Sequence, residues 1–179
     1  QIAMGQIAIG AGEVFISAGV ESMSRVPMMG FNPLPNPELA KKSAAYMSMG
    51  ETAENVATKY QIPRADQEAF AVESQRRAAA ARDAGKFSDE IVPIQTKAGV
   101  VSEDGTIRPE TTTEALAGLK PAFDAEGTVT AGTSSPLTDG ASAVLVTTEE
   151  YARAHGLPIL ARIKSVSVSG CAPETMGLG

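Results

Sequence analysis

The sequence predicts an α/β fold carrying a large inserted subdomain, and three stretches support that prediction. Glu13 to Gly19 is a short, nearly continuous apolar run bounded by glycines, as in a strand covered on both faces of a parallel sheet. Ala141 to Thr147 reads as a second buried strand. After the first run, from Met23 to about Ala45, Pro27, Pro33, Pro35 and Pro37 alternate with Gly30, Asn32 and Asn36, an irregular excursion from the core.

In chain order, Ile2, Met4, Ile7, Ala8 and Gly12 are spaced close to the helical period, so residues 1 to about 11 read as the tail of a buried helix leading into the first strand. Beyond the excursion, Gly50 to Tyr60 sets Ala53, Val56, Ala57 and Tyr60 on one helical face and stops before Pro63. Arg64 to Ala84 sets Phe70, Ser74, Ala78 and Ala81 on one stripe and ends at Gly85. Its Arg76 to Arg82 run has high helix propensity and reads as a solvated face. Ile91 to Thr96 and Val100-Val101 are expected as short strands, and Ser102 to Leu119 as mostly loop. Past the second core strand, Glu149 to His155 is expected as a short helix and Ile159 to Ser169 as a strand with partial alternation.

Composition removes several function classes. Fifteen Lys and Arg against 21 Asp and Glu leave a formal charge of −6, which disfavours polyanion binding and requires any phosphate site to be a local basic spot. One cysteine and one histidine exclude an internal disulfide and a Cys/His zinc cage, so no structural metal is expected. No run reaches the roughly 18 apolar residues of a membrane span. The chain opens at Gln1 inside a helical pattern and closes on Gly179, and is therefore expected to be an internal piece of a longer protein, so that a missing targeting signal says little.

The richest stretch is Gly127 to Val146, GTVTAGTSSPLTDGASAVLV. Gly127, Gly132 and Gly140 permit close backbone approach, while Thr128, Thr130, Thr133, Ser134 and Ser135 offer hydroxyls to a polar ligand or a neighbouring peptide. Composition alone equally fits a Ser/Thr-rich turn before a buried strand. Other segments precede it: Gly19 to Ser24 (GVESMS), Ser48 to Ala57 (SMGETAENVA), Asp66 to Ala71 (DQEAFA), Asp89 to Pro93 (DEIVP) and Leu119 to Phe123 (LKPAF); Met176 to Gly179 (MGLG) follows. In this order and spread these segments resemble the thiolases, enzymes that make or cleave 3-ketoacyl-CoA, over essentially the whole chain.

The resemblance implies two similar layered βαβ halves with an inserted α+β loop domain that holds coenzyme A, only partly represented here. On that pattern residues 1–22 belong to the N-terminal half, 23–136 to the CoA-binding loop domain, 137–157 to the end of the N-terminal half and 158–179 to the start of the C-terminal half. It further implies a cysteine acyl-enzyme, with CoA as substrate and no separate cofactor, and acyl-CoA and CoA as the partners. A homo-oligomer is expected of the full-length protein, with no nucleic acid and no membrane span, and the cytoplasm is the favoured compartment.

Thiolysis needs a nucleophilic thiolate, a base that activates it and a second acid/base group. The family's nucleophile sits in a Cys-Ser-(Ser/Ala)-Gly turn expected a few residues upstream of Gln1, and its catalytic histidine, second cysteine and Asn-Glu-Ala-Phe motif are expected beyond Gly179. No catalytic residue is therefore assigned within these residues. Cys171, in the turn Gly170 to Pro173, matches no catalytic position and reads as a small structural group. His155 before Gly156 reads as a helix C-terminus, and Asp139 before Gly140 as a turn or helix-start residue rather than an acid catalyst.

What the resemblance does assign is recognition of CoA. Ser135 matches the position that bonds the pantetheine arm, Ala131 one where backbone meets it, Arg108 the basic residue near the nucleotide and Phe123 the aromatic beside the arm. Without the resemblance, Arg108 before a proline would read as a solvated loop charge. Met49 and Met176 match the border of the acyl end, where a pliable thioether suits an apolar chain, although core packing also accounts for Met176. Ser48, where many short-chain members carry histidine, and Pro136, where glycine is common, depart from the pattern and leave acyl preference open. The alternative functions are a non-catalytic thiolase-like acyl-CoA or lipid-binding protein and an inert interaction domain.

Overall fold

A computed structural model describes residues 1–179. The chain divides into two compact units, one of Gln1–Leu34 with Leu137–Gly170 and the other of Pro35–Pro136 with Cys171–Gly179.

The first unit opens with α1 (Ile2–Ala8), which stops where Gly10 takes φ +74° and the Ala11 and Gly10 amides turn back onto the carbonyls of Gln6 and Ile7. The helix buries none of its residues. Strand β1 (Val14–Glu21) follows and pairs with β4 (Gly140–Thr147) in a two-stranded antiparallel sheet, in register from Val14 opposite Thr147 to Glu21 opposite Gly140. Asp139 closes one end of the ladder by accepting from the Ser24 amide at 2.8 Å and the Ser24 hydroxyl at 2.6 Å. At the other end the Glu13 carbonyl accepts from Thr148 N and Thr147 Oγ1.

This corrects the expected parallel strand covered on both faces, since Ile16, Val20, Val144 and Leu145 are all exposed. An unbroken apolar run marks a strand meant for covering, but it encodes neither the direction of the partner nor which segment does the covering. The expected strand from Ile159 to Ser169 is likewise absent: those residues pair with nothing, and Leu160 and Val168 stand in solvent. A strand exists only through its ladder, and alternation cannot supply the neighbour. Helix α6 (Glu149–Ala154) is capped by Thr148, whose hydroxyl accepts from Tyr151 N, and ends at His155 with Gly156 at φ +64°.

The second unit is built on two helices. Before them α2 (Pro37–Lys42), a short helix inside the stretch expected to be irregular, forms because Asn36 caps it through Glu38 N and Leu39 N while Pro37 supplies a preset φ. Helix α3 (Met49–Lys59) begins with a complete capping box, Ser48 N donating to Glu51 Oε2 at 2.9 Å and Glu51 N to Ser48 Oγ at 3.3 Å. Helix α4 (Arg64–Asp83) follows and ends ahead of Gly85 at φ +70°. It buries Glu68 and Ala79, whereas Phe70, expected on the packed stripe, is 78% exposed.

Beyond α4 lies a small hairpin of β2 (Ile94–Thr96) and β3 (Gly99–Val101). The strand expected from Ile91 begins only after Pro93, which has no amide to give a ladder. Helix α5 (Thr113–Ala117) stands in the stretch expected as loop, capped by Thr112 Oγ1 accepting from Ala115 N. The Arg64 guanidinium covers its C-terminal end, Nη2 donating to the carbonyls of Leu116, Ala117 and Leu119 at 2.6–3.3 Å, while Nε holds the buried Glu68 at 2.6 Å. A 3₁₀ turn, Pro173–Leu178, packs against α3. The apolar core of this unit is correspondingly small: Ala57, Ala79, Leu116 and Val129 are its buried apolar residues, and Thr130 is fully buried.

On the exposed face of α4, Arg76 and Arg77 both bond Glu73 at 2.6–2.7 Å and hold its carboxyl at about 2 instead of 4.5. Because the folded value is depressed, the stabilisation is complete above the ordinary carboxyl range and fades as pH falls toward 2. Carbon-13 titration of Glu73 at low salt should give a midpoint near about 2 that climbs with ionic strength. A midpoint above 4 would show that the arginine bonds do not persist in solution.

Candidate functional site

The second unit encloses an open cleft of about 1530 Å³. One wall is α3, through Met49, Thr52, Ala53 and Val56. The lining also includes the α4 stripe with Phe70, Ser74 and Ala78, the loop at Asp104, Thr106 and Arg108, the strip from Val129 to Pro136 (without Thr130), and Met176 of the terminal turn. Five of the six residues assigned from the sequence, Met49, Arg108, Ala131, Ser135 and Met176, line this one cleft. Phe123 is not among the lining residues. Its ring lies on Gly50, where a Cβ would overlap the ring atoms.

The hydroxyl-rich strip sorts itself by hydrogen bonding. Thr128 Oγ1 donates to Glu54 and accepts from Gln67 Nε2, and Thr130 Oγ1 accepts from Gly132 N. Thr133 Oγ1 receives the Thr130 amide, and Ser134 Oγ donates to the Thr130 carbonyl at 2.8 Å. Four hydroxyls thus tie the strip into a knot around Thr130, and only that of Ser135, exposed in the cleft, has no partner within the chain. A Cβ at Gly132 would overlap Leu116 Cδ2 and lie 2.8 Å from Leu119 Cδ1, so both leucine side chains would have to shift to admit one.

Arg108 is positioned from α4. Its amide donates to Gln75 Oε1 at 2.7 Å, while the guanidinium has one long bond, 3.4 Å to Thr106 O, and no carboxylate partner. The neighbouring acid, Asp104, is turned onto Thr106, whose hydroxyl and amide hold its carboxyl below the usual range. The cleft therefore offers an unneutralised cation and an unpaired hydroxyl among mainly apolar side chains. It suits an elongated ligand with an anionic group and amide or carbonyl functions along an otherwise apolar length.

Sequence reasoning missed Phe70, Gln75 and Thr106 as lining residues. Phe70 had a signal, its place on the α4 stripe, but a stripe facing a cleft has the same periodicity as one facing a core. Gln75 acts through a residue 33 positions away, which no local pattern announces. Ser48 works as the α3 cap, and Asn55 Nδ2 donates to Glu174 O at 3.0 Å, fastening the turn that carries Met176.

Neither reactive side chain resembles catalytic machinery. Cys171 Sγ is exposed and its one polar neighbour is the Met176 carbonyl at 3.9 Å, a group that takes no proton from a thiol. His155 stacks on Tyr151 with ring centroids 4.0 Å apart, and its Nδ1 lies 3.0 Å from the Tyr151 carbonyl.

The chain is an α/β protein whose second unit gathers a cation without a carboxylate partner and an unpaired hydroxyl into one cleft. More narrowly, it belongs to the thiolase family, whose N-terminal domain model matches residues 1–150. The 3-ketoacyl-CoA thiolase of Bacillus subtilis (strain 168) is 48% identical over 188 residues, covering 97% of this chain and 48% of that protein. That of Pseudoalteromonas translucida (strain TAC 125) is 49% identical over 180 residues, covering 97% of this chain and 46% of that protein.

Among solved structures, the dimeric peroxisomal thiolase of Saccharomyces cerevisiae superposes with a TM-score of 0.88 at 36% identity, over 98% of this chain and 46% of that one. Human mitochondrial 3-ketoacyl-CoA thiolase in complex with CoA gives 0.81 at 37% identity, over 98% and 48%. The chain spans about half the length of the curated relatives it matches.

Proposed function

We propose that this chain is the CoA-binding portion of a thiolase-type acyl-CoA acyltransferase, which cleaves 3-ketoacyl-CoA with CoA or condenses acetyl-CoA through a cysteine acyl-enzyme. The observation that carries this reading is the convergence of Arg108, Ala131, Ser135, Met49 and Met176 on one cleft, with the charge of Arg108 and the hydroxyl of Ser135 both unspent. Arg108 meets a phosphate of the nucleotide, Ser135 bonds the pantetheine arm, the Ala131 backbone borders the arm, and the two methionines flank the acyl end. Phe123 supports the Met49 end of α3 through its contact with Gly50.

In this reading the loop domain is residues 23–136, residues 1–22 and 137–157 belong to the N-terminal half, and 158–179 open the C-terminal half. The thiolate and bases that carry the acyl group belong to other parts of the full-length protein, because neither Cys171 nor His155 has a partner suited to that work. The relatives' names and the CoA complex of the human enzyme support the substrate class, and the yeast enzyme's dimeric state supports a homo-oligomer. No helix is long and apolar enough to cross a membrane.

Arg108→Ala in the full-length protein should weaken CoA and CoA esters several-fold to about tenfold at low salt, with a smaller loss as salt screens the exposed charge. Short acyl thioesters without the nucleotide should be much less affected. Ser135→Leu should raise KM for CoA steeply by filling the path of the arm. Calorimetric titration and steady-state kinetics check both, and unchanged CoA affinity in the two variants would reject the assignment.

A further inference from the structure

Glu54 is a buried carboxylate without a cation. It lies on α3 and is 9% exposed, and no Lys, Arg or His pairs with it. Its charge is met by donors from one place: Oε1 accepts from Thr128 N at 2.9 Å and Val129 N at 2.7 Å, while Oε2 accepts from Thr128 N at 3.0 Å and Thr128 Oγ1 at 3.2 Å. Gly127 admits the carboxylate because a Cβ there would overlap Oε1. Gln67 Nε2 then locks the Thr128 hydroxyl from the α4 side at 2.9 Å.

The clamped residues lead directly into the Thr130 knot and so to Ala131 and Ser135. Helix α3 lines the same cleft. A largely buried carboxylate held by two amides and a hydroxyl in place of a counter-ion is a poor way to add stability but a direction-specific way to fix one segment against another.

We propose that Glu54 is a positioning residue, whose bidentate grip on the Thr128 and Val129 amides sets the distance between α3 and the Ala131–Ser135 strip. It touches no ligand and acts through Ser135. The idea that the gap it sets accommodates CoA rests on the function proposed above, while the grip itself does not.

The test uses wild type, Glu54→Gln and Glu54→Asp in the full-length protein, with amide hydrogen exchange read far below the melting temperature and CoA affinity measured in parallel. Glutamine keeps the length and can present its carbonyl oxygen where Oε1 accepts both amides. Aspartate keeps the charge but is one methylene short. The expected result is that Glu54→Asp speeds exchange across 128–135 by about tenfold or more and weakens CoA comparably, with α3 protection unchanged. Glu54→Gln should lie close to wild type, a few-fold faster at Thr128 and Val129 as charge assistance is lost.

Two results would overturn the proposal: Asp matching wild type better than Gln in exchange and affinity, which would make charge and not reach the operative property, or exchange across 128–135 unmoved in both variants. If Asp fails to fold, the selective few-fold change in Gln still decides, since its absence rejects the grip. Should Glu54→Asp free the strip while CoA affinity stays constant in both Glu54→Asp and Arg108→Ala, the grip stands and the CoA reading falls.

Discussion

Arg64→Met should destabilise the second unit by about 3–5 kcal/mol, because it strips the partner from a buried charge. Glu68, with 8% of its side chain exposed, would keep its carboxylate with nothing to answer it. At the same stroke the carbonyls of Leu116, Ala117 and Leu119 lose their shared donor, and the end of α5 loses its cap. Methionine preserves most of the apolar stem, so the change isolates the polar head. Lysine should recover only part of the loss, since one ammonium cannot span three carbonyls and a carboxylate. Urea denaturation followed by a probe in this unit measures the effect, and a loss under about 1 kcal/mol would mean that solvent reaches Glu68 freely.

The second large effect is expected at Gly132. Alanine there would drive a methyl into the buried Leu116 side chain and against Leu119, an overpacking cost of about 1–3 kcal/mol. The strain acts on the strip that presents Ala131 and Ser135, so CoA affinity should fall together with stability if the proposed function holds. Leu116→Ala in the same molecule makes room for the methyl, and a double-mutant cycle should show favourable coupling between the two sites. Additive losses would place the clash elsewhere.

The readability of the sequence followed the range of the forces involved. Helices α3 and α4 were legible because their signals are local: apolar residues at helical spacing, Pro63 between the two helices and Gly85 at the far end. The short helices α2 and α5 were hidden by proline and threonine, which punctuate loops yet also start helices, as Asn36-Pro37 and Thr112 do here. Position along a strand was legible, direction and covering were not, because β1 depends on residues 140–147 and the stretch 159–169 finds no neighbour.

The cleft was partly legible for the same reason. Ser135 and Arg108 came from an ordered series of motifs, not from their own surroundings. What singles them out physically, one hydroxyl left over from a knot and the one guanidinium of the second unit left out of its ion pairs, is visible only in three dimensions. Glu54 lay inside a matched segment and went unassigned, since its donors are 74 and 75 positions away.

The pairing of β1 with β4 bears on how such a chain reaches its native state. Every rung joins residues more than a hundred positions apart, so zipping the ladder in an unstructured chain means closing a very long loop before any bond repays it. The helices between those strands need no such closure, since their caps and turns are made by near neighbours. Compaction of the intervening segment shortens the effective loop, which favours an order of assembly in which residues 35–136 condense early and the ladder closes late. Until it closes, two apolar strand segments travel with open edges, the condition in which chains find one another, and growth temperature and expression rate become the variables that decide its yield.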